Sequence, residues 1–229
     1  MTPKVLRRIP LLHALPLKAL RQVARICKTW DFPAGADIFV KADAANHLFI
    51  VLEGKIKVFT SSPSDKRKTF AYFGPGGFFG EMALLDGQER SASAKAAEPS
   101  RLVLIPGRDF RRLLLADAGL ACFLLRVLSA RLRKANEDIE SLMFRNLLGR
   151  VSKTLMNLAN AGGKRVGDGL LIKDRFTHQE LADLVGTARE PLSRALSSLK
   201  RAELVSVREG RFFLHDTKRM RLLVGEPQG

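Results

Sequence analysis

The sequence predicts an α+β chain in three parts: an N-terminal antiparallel β-roll of jelly-roll type, a long helix, and a C-terminal winged helix-turn-helix. Three observations predict it. Short β-rich runs separated by turn residues fill 32–105. Apolar residues then recur at alternating steps of four and three from 121 to 142. Two Thr-x-x-Glu boxes flank Gly186 and precede a hairpin pattern. The expected divisions are 1–107 for the roll with its leading helices, 108–146 for the long helix, and 147–229 for the winged helix-turn-helix.

Taken in order, 5–28 carries Leu17, Leu20, Val23, Ala24 and Cys27 at helical spacing, an opening helix or helix pair. From Phe32 the period shortens, and 38–40, 48–52, 56–59, 69–73 and 102–105 read as strands. Pro33-Ala34-Gly35, Glu53-Gly54, Ser62-Pro63-Ser64-Asp65 and Gly74-Pro75-Gly76-Gly77 supply the turns between them. Over 108–146 one helical pattern follows. Within it Ala121, Leu125, Leu128, Leu132, Ala135, Ile139 and Leu142 form the narrow a/d stripe that suits a parallel partner helix, so the chain is expected to be a dimer. Beyond Gly149, Val151, Leu155 and Leu158 share one helix face. The boxes Thr177–Glu180 and Thr187–Glu190 mark two further short helices, and 204–214 reads as the wing. Helix, turn, helix and wing make a DNA-reading architecture.

The 229 residues carry 39 Lys and Arg against 23 Asp and Glu, a formal charge of +16 that calls for a polyanionic partner. The first 149 residues hold +10 and the remainder +6, so charge supports nucleic-acid binding without locating it. No apolar run approaches the roughly 20 residues of a membrane span, and the broken N-terminal pattern is unlike a signal peptide, so the chain is expected in the cytoplasm. Cys27 and Cys122 match no metal spacing and are expected as two buried free thiols. Of the four histidines, His13, His47, His178 and His215, only His47 falls in the strand region; with no nucleophile–base pair and no P-loop, an enzyme is not expected.

Two stretches carry a resemblance. Phe79-Gly-Glu-Met-Ala-Leu-Leu-Asp-Gly-Gln-Glu-Arg-Ser-Ala92 is similar to the phosphate-binding cassette of cyclic-nucleotide-binding domains. The second, Phe176-Thr-His-Gln-Glu-Leu-Ala-Asp-Leu-Val-Gly-Thr-Ala-Arg-Glu-Pro-Leu-Ser-Arg194, is similar to the helix-turn-helix of the cyclic-AMP receptor protein and fumarate–nitrate regulator (Crp-Fnr) family. The resemblance implies a dimeric transcription factor with a cyclic-nucleotide effector, cAMP in the first place and cGMP as a compatible alternative, and no metal. It assigns Arg90, Ser91 and the amide of Ala92 to the phosphate, Glu81 to the ribose 2′-hydroxyl, and Gly80 to close backbone approach. Phe79 and Met82 flank that pair within the cassette. By the same resemblance Phe70 walls the base, Arg131 lies near Glu81, and Ala135 and Asn136 meet the adenine amino group. In the second stretch Arg189, Glu190 and Arg194 are implied to read base edges of a TGTGA-like half-site, while Thr177 and Gln179, with His178 between them, meet phosphates. RNA polymerase is the implied further partner. A regulator of the same fold that needs no ligand, or that senses haem or redox state through His47, Cys27 or Cys122, is the alternative.

Overall fold

The computed structural model describes residues 1–62 and 67–224, apart from the side chain of residue 144. The chain divides into two compact units. The first comprises Met1–Thr60 and Thr69–Leu132, the second Ser61–Lys68 and the chain from Arg133 onward.

The first unit opens with helices α1 (Pro3–Leu6) and α2 (Leu17–Ile26). Strands β1 (Lys28–Phe32), β2 (Asp37–Phe39), β3 (His47–Glu53), β4 (Ile56–Ser61), β5 (Arg67–Phe73) and β6 (Phe78–Phe79) follow. Helix α3 (Met82–Asp86) leads into β7 (Ser93–Ala96) and β8 (Ser100–Pro106). The strands form two four-stranded sheets, ordered β1-β8-β3-β6 and β2-β7-β4-β5. Strands β3 and β8 show why the apolar runs at 48–52 and 102–105 are continuous rather than alternating. Leu48, Ile50, Val103 and Ile105 point into a core shared with the N-terminal helices, whereas Phe49, Val51, Leu102 and Leu104 point between the sheets. A strand covered on both faces needs apolar residues at every position.

Three strands of this unit escaped the sequence pattern. Strand β1 lies at a sheet edge with four of its five residues exposed, and β6 and β7 are short. Past Ser62, the expected turn at 62–65 lies outside the described residues.

The helical run expected from 108 to 146 is interrupted once, giving α4 (Gly107–Ala116) and α5 (Ala118–Phe144). Asp117 adopts extended geometry, and its Oδ1 accepts from the Leu120 amide at 2.7 Å, an N-cap that starts α5 afresh. Along α5, Leu120 and Leu124 are buried in the first unit, with Val127 and Leu128 packed beside them. Leu125, Leu132, Ile139 and Leu142 stand 49–63% exposed, so the chain itself leaves an apolar stripe of this helix uncovered. The cysteines correct another expectation. Cys27 is only half-buried, at the end of α2, and Cys122 is exposed on α5. Burial pushes the Cys27 thiol above its ordinary pKa.

The second unit contains α6 (Leu147–Gly162), the hairpin β9 (Lys164–Val166) and β10 (Gly169–Leu171), then α7 (His178–Val185) and α8 (Arg189–Arg201). The wing β11 (Val205–Arg208) and β12 (Arg211–Leu214) precedes α9 (Thr217–Val224). One core joins Val151 and Leu155 of α6, Leu181 and Val185 of α7, Leu192, Leu196 and Leu199 of α8, and Phe212 and Leu214 of the wing. The capping box at Thr177 forms in full. The second box does not. Helix α8 takes as its N-cap Ala188, one residue past Thr187 and without a side-chain acceptor, and the Glu190 carboxylate is held by Arg194. The wing turns on Glu209 and Gly210, both with positive φ, the geometry of a two-residue hairpin loop that follows strand twist.

Candidate functional site

In the first unit the cassette leaves β6, turns at Gly80 and enters α3 at Glu81. Gly80 has φ +81°, and a Cβ there would lie 2.6 Å from Arg90 Nη1, so both the backbone and the neighbouring cation demand glycine. After α3 the chain reverses at Gly87, also left-handed, and brings Arg90 and Ser91 back beside Glu81.

Arg90 is 5% exposed. Its Nη1 donates to the Gly80 carbonyl at 2.6 Å and its Nη2 to the His47 carbonyl at 2.8 Å. The guanidinium lies 4.3 Å from the centre of the Phe39 ring, and its Nε–H has no partner. Burial pulls the group below its ordinary pKa, and the carboxylates of Glu81 and Asp43 pull it back; as a guanidinium it stays charged. Glu81 is 1% exposed. Its Oε1 accepts from Arg131 Nη1 at 2.5 Å, while Oε2 has no partner. Arg131 also donates to the Phe78 carbonyl at 2.7 Å, tying α5 to β6. The Ser91 hydroxyl lies 3.9 Å from Met82 Sδ.

These groups open on one cleft with an empty volume of about 420 Å³, its open mouth included. Of the residues implied by the cassette, Phe79, Gly80, Glu81, Met82, Arg90, Ser91, Ala92 and Arg131 line it. Phe70, Ala135 and Asn136 do not: Phe70 is 51% exposed, and the other two are exposed residues of α5 in the second unit. On β5 inward positions alternate, so Phe73 faces the cleft and Phe70, an odd number of residues away, faces outward. The cleft also gains Phe39, Val58 and Ala83, which sequence reasoning missed. Phe39 and Val58 arrive through register, since both pair opposite Ala94 of β7 from its two sides.

Buried polar groups without partners are uncommon, and two of them, Arg90 Nε and Glu81 Oε2, belong to residues that line this cleft. Arg90 Nε–H suits an anion and Glu81 Oε2 suits a hydroxyl donor. An anion and a vicinal hydroxyl on one small molecule, with an apolar body against Val58 and Phe73, describe a cyclic nucleotide; the residues fit that group.

In the second unit, Arg189, Glu190 and Arg194 are exposed on α8. Arg194 Nη1 holds Glu190 Oε1 at 2.5 Å, a pair with both side chains largely in water and therefore weak. Thr177 is engaged by its own helix: its Oγ accepts from the Glu180 amide at 3.2 Å and donates to Glu180 Oε2 at 2.8 Å. His178 Nδ1 and Ser193 Oγ are 2.9 Å apart, which braces α7 against α8, and Ser193 in turn donates to the Arg189 carbonyl. Gln179 donates to Asp183 at 2.8 Å and is itself exposed. Among the described residues, no group of three or more His, Cys, Asp or Glu could hold a metal, and no single helix is long and apolar enough to cross a membrane.

The two units match two known domain families: the cyclic nucleotide-binding domain over 29–117 and the Crp-like helix-turn-helix domain over 149–223. The chain is 36% identical over 205 residues to the cyclic AMP receptor protein of Thermus thermophilus, covering 88% of this chain and 90% of that one. It is 29% identical over 218 residues to the CRP-like cAMP-activated global transcriptional regulator of Mycobacterium tuberculosis, covering 95% and 97%. Among solved structures, the c-di-GMP responsive global regulator of Xanthomonas campestris superposes with a TM-score of 0.76 at 25% identity, over 88% of this chain and all of that one.

Proposed function

The chain belongs to the Crp-Fnr family of transcription regulators, which are not enzymes, and on that premise we propose that it is a cAMP-controlled dimer reading palindromic DNA. The observation that carries the effector is the pair of buried, unpartnered atoms, Arg90 Nε and Glu81 Oε2, in two residues that line one cleft. Arg90 and Ser91 hold the cyclic phosphate, with the Ala92 amide beside them, and Glu81 takes the ribose 2′-hydroxyl. Phe73 supplies the apolar wall first assigned to Phe70. For Ala135 and Asn136 of α5 the contact with the adenine amino group rests on the family resemblance alone.

The functional divisions are those expected from sequence: 1–107 for the effector, 108–146 for assembly and 147–229 for DNA. The exposed stripe of Leu125, Leu132, Ile139 and Leu142 supports the dimer, because an apolar seam at heptad spacing is stabilised by burial against its copy. Arg189, Glu190 and Arg194 read a TGTGA-like half-site, the Glu190–Arg194 pair exchanging its partners for guanine and cytosine edges. Thr177 and Gln179, with His178 bracing the two helices, set the register on phosphates. The regulator works in the cytoplasm and recruits RNA polymerase. Calorimetric titration with cAMP and cGMP tests the effector: cAMP is expected to bind and to tighten binding to a TGTGA palindrome, and absence of binding by either nucleotide refutes the proposal.

A further inference from the structure

The five methionines of the chain divide by exposure. Met156 and Met220 are buried in the core of the second unit. Met1, Met82 and Met143 stand in solvent, and of these only Met82, 51% exposed, lines the cleft. Its thioether therefore meets two conditions at once: an oxidant in solution can reach it, and a change at its sulfur alters the lining of the site. Neither Cys27 nor Cys122 lines the cleft.

The neighbouring hydroxyl says what that change does. Ser91 Oγ lies 3.9 Å from Met82 Sδ, donates to it, and has no other hydrogen-bond partner among the described residues. A thioether is a weak acceptor, so Ser91 leaves it readily for the charged oxygen of a phosphate. A sulfoxide is a different neighbour. Hydrogen peroxide passes one oxygen atom to the sulfur: the S–O bond forms as the O–O bond breaks, the sulfur loses two electrons, and water leaves. An apolar side chain becomes a polar one. The new oxygen carries partial negative charge and accepts strongly, so it competes for the single hydrogen that Ser91 has to give. The same partial charge beside a bound phosphate also repels it. Arg90 and Glu81 are untouched by peroxide, so binding is weakened rather than abolished.

We propose that Met82 is an oxidant-sensitive site in the effector cleft, and that its conversion to the sulfoxide by a peroxide withdraws Ser91 from the nucleotide phosphate. The proposal rests on the cyclic-nucleotide reading of the cleft. Because reductases return a sulfoxide to the thioether, the change is reversible.

The test uses the full chain treated with hydrogen peroxide, with peptide mass spectrometry measuring the fraction of Met82 converted. Titration calorimetry with cAMP then compares each protein with itself before and after treatment. Wild type converted at Met82 is expected to bind about tenfold more weakly or worse, the scale of one lost hydrogen bond to a charged group. Methionine sulfoxide reductase should restore the original Kd. M82L keeps both cysteines and the other four methionines, so its Kd, whatever its value, should be the same before and after peroxide. Wild type that holds Met82 as the sulfoxide and binds as before overturns the proposal. An equal loss in M82L does so too, because it places the damage at another sulfur. M82Q supplies a polar acceptor without any oxidant, which keeps the test open if peroxide harms the fold; it should bind more weakly than M82L, and equal binding by the two refutes the competition for Ser91. If the untreated protein binds neither cAMP nor cGMP, the effector reading itself fails and takes this site with it, whereas the other refuting results leave that reading standing.

Discussion

Replacing Arg90 by leucine separates two jobs that one side chain performs. Its Nη1 and Nη2 satisfy the buried carbonyls of Gly80 and His47, and its Nε, which has no partner, is the atom proposed to meet the ligand. Losing a charge-assisted hydrogen bond to a phosphate costs about 1.5–3 kcal/mol, which is roughly a 10- to 100-fold weaker Kd. Folding is affected separately. Two buried carbonyls lose their donors at about 1–3 kcal/mol each, partly offset because a guanidinium is no longer removed from water. The variant should therefore melt several degrees lower and also bind cAMP at least tenfold more weakly. Calorimetry well below both melting midpoints reads the second effect free of the first, and differential scanning fluorimetry reads the first. Arg90→Lys keeps the charge without the planar fork and should fall between the two. If Arg90→Leu lowered the midpoint while its Kd stayed within about twofold of wild type, Arg90 would be a brace for the cassette and the anion would be held elsewhere.

Three further predictions follow from the same structure. Leu125→Glu with Leu132→Glu places charges at positions that are 63% exposed in the single chain, so the fold should survive while sedimentation shows a monomer; a wild type already monomeric at micromolar concentration removes the premise. Arg189→Ala should weaken binding to a TGTGA palindrome by about 1–3 kcal/mol and relax preference at one guanine, and an equal loss on random DNA would show that Arg189 meets only phosphate. Thr177→Ala removes the hydroxyl half of the formed capping box, leaving the backbone amide of residue 177 on the Glu180 carboxylate, and should lower stability by about 1 kcal/mol in denaturant melts; no change would mean that solvent satisfies the Glu180 amide as well as the hydroxyl does.

The architecture was legible wherever its cause was local. The capping box at Thr177 predicts the start of α7 because the two residues that make it are three apart. The same rule failed at Thr187, where the helix is capped one residue later, at Ala188, and Arg194 holds the Glu190 carboxylate. Asp117 was misread within an otherwise helical pattern: the heptad rhythm begins only beyond it, so periodicity could not show that the chain bends there and is capped again. Strand β1 stayed hidden because an exposed edge strand buries too little to print an alternating pattern.

The site divides along the same line. Gly80, Glu81, Arg90 and Ser91 lie within one short segment, so their spacing carries the chemistry, and a left-handed turn at each end folds it back on itself. Phe39, Val58 and Phe73 come from three separate strands and reach the cleft only through sheet register, which a single sequence does not encode in any short window. Phe70 shows how narrow the margin is: an odd rather than an even offset along β5 turns an aromatic ring from the cleft to solvent. The decisive feature was beyond sequence altogether. A motif names an arginine and a glutamate as partners for a ligand. Only coordinates show that each already has protein partners for part of its capacity, with one donor and one acceptor left unpaired in residues that line the same cleft. The proposed ligand, which offers both an anion and a hydroxyl, would give each of these two buried polar atoms a partner.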